Sequence, residues 1–148
     1  QDQVKAQENL TYMQPFYDLL KKHQGKMIYI DFWGPWCPPC LAEMEPLKEL
    51  RKKYSTDDIV FISICRNDDR KQYKQVLDKY GMHVDGIEHI HADDLQAESQ
   101  VHKMYNQLNI DGIPYFFIIN REGVIVNYGS MMRPSYPGTA ECIEEWLE

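Results

Sequence analysis

Apolar and polar positions along the chain follow two different periods. Short, nearly continuous apolar runs predict buried strands, because a strand that is covered on both faces has no polar side. The predicted strands are Met27–Trp33, Ile59–Cys65, 86–91, Tyr115–Ile119 and 124–128. A turn at 121–123 joins the last two strands as an antiparallel hairpin.

Segments with apolar residues three and four positions apart predict amphipathic helices. The predicted helices are 12–23, 38–54, 70–80, 95–108 and 140–147. Pro46 is expected to bend the second helix, because proline has no backbone N–H to donate. In the last helix, Ile143, Trp146 and Leu147 are expected to face inward, and 131–138 is expected to be a loop.

Strands that alternate with helices predict an α/β fold, with parallel pairs first and an antiparallel edge from the hairpin. A length of 148 residues, without repeats or an internal linker, fits a single domain over 1–148. The chain carries 23 acidic and 16 basic residues, for a formal charge of −7. This charge argues against a nucleic acid partner, because phosphate binding needs clustered Lys and Arg.

The ends of the chain carry no targeting signal. No apolar run approaches the roughly 20 residues that cross a bilayer. The segment that begins at Gln1 lacks the charged and apolar regions of a signal peptide, so a processed or excised chain is expected.

The sharpest local motif is Trp36-Cys37-Pro38-Pro39-Cys40, which follows a predicted strand and opens a predicted helix. A spacing of three places both sulfur atoms on one side of the first helical turn. Unpaired N–H groups and peptide dipoles there favour a thiolate, which lowers the pKa of Cys37 and makes it the nucleophile. Cys40 is then the resolving thiol. Two prolines suit the first turn, where an N–H has no helical partner.

Two other functions for this pair stay open. A C-x-x-C pair can be half of a zinc site, but zinc wants four ligands, and Cys65 and Cys142 stand alone. A purely structural disulfide would close a very small loop and stabilise little. Cys65 and Cys142 are expected to be buried packing residues, with a bridge between them as the alternative. The histidines at 83, 89 and 91 are expected to be solvated.

Two carboxylates lie close to the cysteine pair in sequence. Asp31 interrupts an apolar strand, and a buried carboxyl group has a raised pKa that suits proton exchange with Cys40. The alternative is an edge-facing or simply hydrogen-bonded Asp31. Glu43 lies one turn beyond Cys40, either as a second proton-transfer group or as a solvated glutamate near the helix start.

These motifs resemble a known family. The segment 30–40, Ile-Asp-Phe-Trp-Gly-Pro-Trp-Cys-Pro-Pro-Cys, resembles the active-site signature of thioredoxin-fold proteins. Its Pro-Pro dipeptide and the following Leu-Ala-Glu-Met are most similar to the bacterial TlpA/ResA-like branch. The segment 112–120, Gly-Ile-Pro-Tyr-Phe-Phe-Ile-Ile-Asn, is similar to the stretch in which a cis-proline precedes the strand beside the active site. By element order the resemblance covers 21–148.

The resemblance implies a three-layer α/β/α fold with a central mixed sheet of four to five strands and an N-terminal helical extension. It also implies a family-type insertion within 66–108. Cys37 would attack a substrate disulfide and Cys40 would resolve the mixed disulfide. Asp31 matches the buried acid of thioredoxins proper, and Glu43 matches the glutamate of the TlpA/ResA-like branch. The residues expected to contact the substrate chain are Trp36, Pro38, Pro39, Ile113 and Pro114, with Pro114 in the cis form.

The predicted function is that of a thiol–disulfide oxidoreductase that reduces disulfides of exported proteins. It needs no metal and no cofactor besides the redox-active disulfide, and an upstream redox protein would supply electrons. The chain is expected to act as a monomer in an extracytoplasmic or periplasmic setting, with any membrane anchor in a segment absent from it. The alternative is a non-catalytic or metal-delivery binding module on the same fold.

Overall fold

The computed structural model describes residues 13–66, 69–95 and 98–148, the last of these without the side chains of 98–102. Its strands are β1 (Met27–Trp33), β2 (Ile59–Cys65), β3 (Ile87–His91), β4 (Tyr115–Ile119) and β5 (Ile125–Gly129). They form one sheet in the order β3-β2-β1-β4-β5. The first three strands are parallel, whereas β4 is antiparallel to β1 and to β5. The predicted α/β class and mixed sheet are therefore confirmed.

Helices cover both faces of this sheet. They are α1 (13–22), α2 (Pro38–Ala42), α3 (Met44–Lys52), α4 (Arg70–Lys79), α5 (Glu98–Gln107) and α6 (Pro137–Leu147). Tyr29 and Trp33 of β1 pack with α3, α4 and α6, whereas Ile30 and Phe32 pack with α1 and α5. All of β1 is buried, which explains why its sequence is nearly continuous in apolar residues. Among the helices described, none has both the length and the apolar character to cross a bilayer.

The predicted helix over 38–54 is interrupted. α2 ends at Ala42 and α3 begins at Met44, because Pro46 has no N–H to bond the Ala42 carbonyl group and its ring crowds that group. Glu43 occupies the break, with φ −92° and ψ 0°. The predicted bend at Pro46 thus takes the form of two separate helices.

The last helix corrects two predictions. It begins at Pro137 rather than at residue 140, because proline is well suited to a first helical turn, and a 3-10 helix over Ser130–Met132 shortens the predicted loop further. Trp146 was expected to face inward but is 41% exposed. The inward line of α6 runs at a spacing of four through Thr139 and Ile143, both fully buried, and Trp146 lies beside that line.

The prediction of three solvated histidines is wrong for two of them. His91 is fully buried, where its Nδ1 accepts the Asp93 N–H at 3.3 Å and its ring packs edge-on against Tyr73. His89 is half-buried and donates from Nε2 to the Met82 carbonyl oxygen at 2.6 Å. Both lie on β3, whose pairing with β2 draws them into the fold. His83 is exposed.

Strand directions bring the predicted site to one edge of the sheet. The parallel strands β1, β2 and β3 all end at this edge, and β4 begins there because it is antiparallel to β1. The cysteine motif follows β1, and Pro114 directly precedes β4. Two motifs that are far apart in sequence therefore meet at the same edge.

Candidate active site

Cys37 and Cys40 are joined by a disulfide, with their Cα atoms 5.2 Å apart. Cys37 is the N-cap of α2, and its sulfur accepts the backbone N–H of Cys40 at 3.2 Å. Pro38 and Pro39 occupy the first turn. The two sulfur-bearing residues are 7% and 3% exposed, so only a small part of the disulfide reaches the surface.

Asp31 lies beneath the disulfide on β1 and is 7% exposed. Its Oδ1 accepts a hydrogen bond from the Ser63 hydroxyl at 2.9 Å, because parallel pairing aligns the two residues on β1 and β2. Burial raises the pKa of Asp31 from its ordinary value of 3.8 to about 7, and the Ser63 hydrogen bond opposes this rise. The carboxyl group therefore exchanges its proton near neutral pH.

A small cavity of about 10 Å³ connects this carboxyl group with the cysteine pair. Its polar lining comes from Asp31, Cys40 and Glu43. Its apolar lining comes from Phe32, Trp33, Met44, Leu47, Pro114 and Phe116. The volume is close to the roughly 10–15 Å³ that one water molecule needs. The site thus places a titrating carboxyl group and the inner cysteine on the same enclosed space.

The Ile113–Pro114 peptide bond is cis, and the Ile113 carbonyl oxygen lies 3.8 Å from the sulfur of Cys37. On the other side, the side chain of Trp36 is 55% exposed. Its indole folds back over Gly34, where a Cβ atom would lie only 2.7 Å from the ring. The residues predicted to contact a substrate chain therefore surround the disulfide.

Glu43 is half-buried at the break between α2 and α3. Ser135 donates its backbone N–H to Oε1 at 2.9 Å and its hydroxyl to Oε2 at 2.8 Å. Nearby, the Tyr29 hydroxyl donates to the Met132 carbonyl oxygen at 2.6 Å. Burial, together with Asp31 and Glu43, raises the pKa of Tyr29, so this hydroxyl stays protonated.

Ser63, Tyr29 and Ser135 are site residues that the sequence did not reveal. Ser63 carries a weak signal, because it is a polar interruption of an apolar strand, as Asp31 is of the neighbouring strand. Nothing comparable marks Ser135, which lies in the loop before α6. Cys65 is buried and Cys142 is half-buried, and no disulfide joins them.

The described residues contain no group of three His, Cys, Asp or Glu side chains that could hold a metal ion. A family model described as thioredoxin-like matches residues 25–125, which is more than half of the chain. The chain belongs to the thioredoxin-like family.

Relatives of this thioredoxin-like chain carry redox names. It is 27% identical to thiol-disulfide oxidoreductase ResA of Halalkalibacterium halodurans, over 87% of this chain and 65% of that protein. It spans 56% of the length of ResA from Bacillus thuringiensis, at 26% identity over 72% of this chain. A solution structure of a candidate thiol-disulfide oxidoreductase from Bacteroides vulgatus is 36% identical. The TM-score is 0.68, with 86% of this chain and 78% of that chain covered.

Proposed function

We propose that this protein is a thiol–disulfide oxidoreductase that reduces protein disulfides through Cys37 and Cys40. The observation that carries the proposal is the Cys37–Cys40 disulfide at the start of α2, next to a cavity that Cys40 shares with the buried Asp31. The redox names of the relatives support the same reaction class. Because the chain spans only part of the ResA proteins, its own activity is inferred from this site.

In the first step, the reduced Cys37 thiolate attacks one sulfur of a substrate disulfide. The substrate S–S bond breaks, a mixed disulfide forms at Cys37, and the leaving sulfur takes up a proton. The N–H of Cys40 already points at the Cys37 sulfur, and such a hydrogen bond stabilises a thiolate. Cys37, at the N-cap and nearer the surface, is therefore the attacking residue.

In the second step, Cys40 loses its proton and attacks the sulfur of Cys37. The mixed disulfide breaks, the second substrate thiol leaves, and the Cys37–Cys40 disulfide forms, so the substrate gains two electrons that the dithiol loses. Asp31 is the proposed proton acceptor, because its pKa of about 7 suits exchange at neutral pH. Glu43 lines the same cavity and remains a predicted second proton-transfer group.

The proposed substrate surface is formed by residues around the disulfide, with the cis-Pro114 segment on one side. The backbone of Ile113 would pair with an extended substrate chain, and Trp36 would contact its side chains. The exposed Pro38 and Pro39 complete this surface. The setting we propose is extracytoplasmic, where disulfides of exported proteins form, with a redox protein as the electron donor. The proposed unit is one domain, which carries the family-type insertion within 66–108, and it acts as a monomer.

The test is insulin reduction with dithiothreitol as the electron donor. We expect the protein to exceed the rate of dithiothreitol alone, and Cys37→Ser to abolish this gain. Cys65→Ser is the matched control, because it removes a thiol outside the pair, and it should retain the rate. A wild-type protein no faster than dithiothreitol alone would favour a binding module over an enzyme.

A further inference from the structure

The loop between β5 and α6, residues 130–136, is fixed at three points. The Tyr29 hydroxyl binds the Met132 carbonyl oxygen at 2.6 Å. Thr139 donates its hydroxyl to the Arg133 carbonyl oxygen at 2.8 Å. Ser135 gives both its N–H and its hydroxyl to the carboxylate of Glu43. The last tie is the one that joins this loop, called here the β5–α6 loop, to the active-site helices.

The β5–α6 loop lies at the same edge of the sheet as the disulfide. Gly129, at the end of β5, pairs with Phe116 on β4, two residues after Pro114. Phe116 and Pro114 both line the cavity that Cys40 shares. A tie between this loop and Glu43 therefore acts within the same end of the molecule as the redox pair.

Neighbouring methionines in this loop have opposite environments. Met132 is 8% exposed and packs in the core cluster that contains both site cysteines. Met131 is 60% exposed. An exposed methionine next to a redox site is suited to varied apolar partners, because its thioether chain is flexible and polarisable. Burial of Met132 and the ties to the loop fix where Met131 stands.

We propose that Ser135 and Glu43 are positioning residues that hold the β5–α6 loop and so present Met131 to the polypeptide around a substrate disulfide. The proposal rests on the proposed function. A loop that is ordered before binding loses less conformational entropy when a substrate chain docks on it. A small disulfide does not reach the loop and gains nothing from this order. The tie should therefore affect the KM for a protein disulfide and leave a small disulfide unaffected.

Steady-state kinetics with two substrates test this role. Initial rates are measured against insulin and against hydroxyethyl disulfide, with dithiothreitol as the donor. For Ser135→Ala we expect the KM for insulin to rise about three- to fivefold, which is the range for one lost hydrogen bond to a carboxylate at the surface. The kcat for insulin and the rate with hydroxyethyl disulfide should stay unchanged.

Three further variants separate positioning from general damage. Ser135→Thr keeps the hydroxyl group and should restore the wild-type KM. Met131→Ala leaves the tie in place but removes the presented side chain, so it should raise the KM for insulin as well. Ser55→Ala is the matched control, because it removes a serine hydroxyl that binds the Asp57 N–H before β2, at the opposite edge of the sheet.

The outcomes distinguish this inference from the function on which it rests. An active wild-type protein whose KM for insulin is the same in Ser135→Ala overturns the positioning role alone. An equal loss with hydroxyethyl disulfide overturns it too, because the effect would then not depend on the loop. A wild-type protein that reduces neither disulfide overturns the proposed function and this inference together.

Discussion

Asp31 is a carboxyl group in a layer that is otherwise apolar, and burial raises its pKa to about 7. At low pH the neutral form is buried with one hydrogen bond from Ser63. At higher pH the protein must bury a charge instead, which lowers its stability. A residue placed for proton exchange thus destabilises the fold that holds it.

This conflict predicts a pH-dependent gain in stability for Asp31→Asn with the disulfide intact. The folded pKa lies above the ordinary value, so the stability that Asp31 gives at low pH is lost as pH rises from about 4 through about 7. Asparagine has no such loss. We expect its advantage in the free energy of unfolding to grow by something on the order of 4 kcal/mol between pH 4 and pH 8. Urea unfolding at a series of pH values measures it.

The control for this experiment is Asp57→Asn, which changes an exposed carboxyl group. Its unfolding free energy should follow the wild type across the same pH range. If the difference between Asp31→Asn and the wild type is constant with pH, then Asp31 does not titrate near neutrality and cannot serve as the proton acceptor.

Sequence reasoning found some of these residues and missed others for a physical reason. Asp31 was predictable because a charged letter in an apolar run is costly wherever the strand packs. The Cys37–Cys40 pair was predictable because its chemistry depends on local spacing. Ser135 lies 92 residues from Glu43, and such a contact depends on loop geometry that no local pattern encodes.

Element by element, the long periodic segments were predicted well and their ends less well. Met27–Trp33 and Ile59–Cys65 were predicted to the residue, because both strands are bounded by polar neighbours. The helix over 38–54 was predicted as one bent element, because the pattern shows the proline but not how far the chain yields there. Trp146 was misplaced because a helix near its end has only a narrow buried line.

The β4–β5 hairpin holds a turn whose chemistry the sequence did not disclose. Asn120 is 7% exposed, and its Oδ1 accepts the N–H groups of Glu122 and Val124 at 3.0 and 2.9 Å. Gly123 completes the turn with φ +82°, a backbone conformation that favours glycine. One side chain thus satisfies two backbone groups at the end of a sheet.

We predict that Asn120→Ala lowers the free energy of unfolding by about 2 kcal/mol, because two backbone N–H groups lose their partner. The insulin reduction rate should be unchanged under conditions where the protein is folded, since this turn lies at the opposite edge of the sheet from the disulfide. Asn120→Asp keeps an acceptor oxygen and should lose less. Chemical denaturation with parallel rate measurements checks both, and a fall in rate without a fall in stability would contradict the separation.

At the scale of the whole molecule, the sheet brings the ends of three parallel strands and the start of β4 to one edge. The cysteine motif and the Ile113–Pro114 segment are far apart in sequence and meet there because β4 runs against β1. Element order alone predicted this meeting. The five-stranded order could not be fixed beforehand, since the short apolar run at β3 gave no sign of which neighbour it would pair with.

The direction of electron flow depends on how strongly the whole fold favours the Cys37 thiolate over the disulfide. The Cys40 N–H favours it, but the chain has a formal charge of −7 and a buried carboxyl group on the cavity of the pair, and negative charge opposes a second anion. We therefore predict a reducing potential below about −220 mV, nearer to thioredoxin at about −270 mV than to DsbA at about −120 mV.

Equilibration with glutathione buffers at pH 7, followed by trapping of thiols, measures this potential. Asp31→Asn should make the protein less reducing, because its thiolate would no longer face a carboxylate. Asp57→Asn again serves as the exposed control and should leave the potential unchanged. A potential near that of DsbA would mean that the fold stabilises the dithiol, and the protein would then transfer disulfides to its partners instead of removing them.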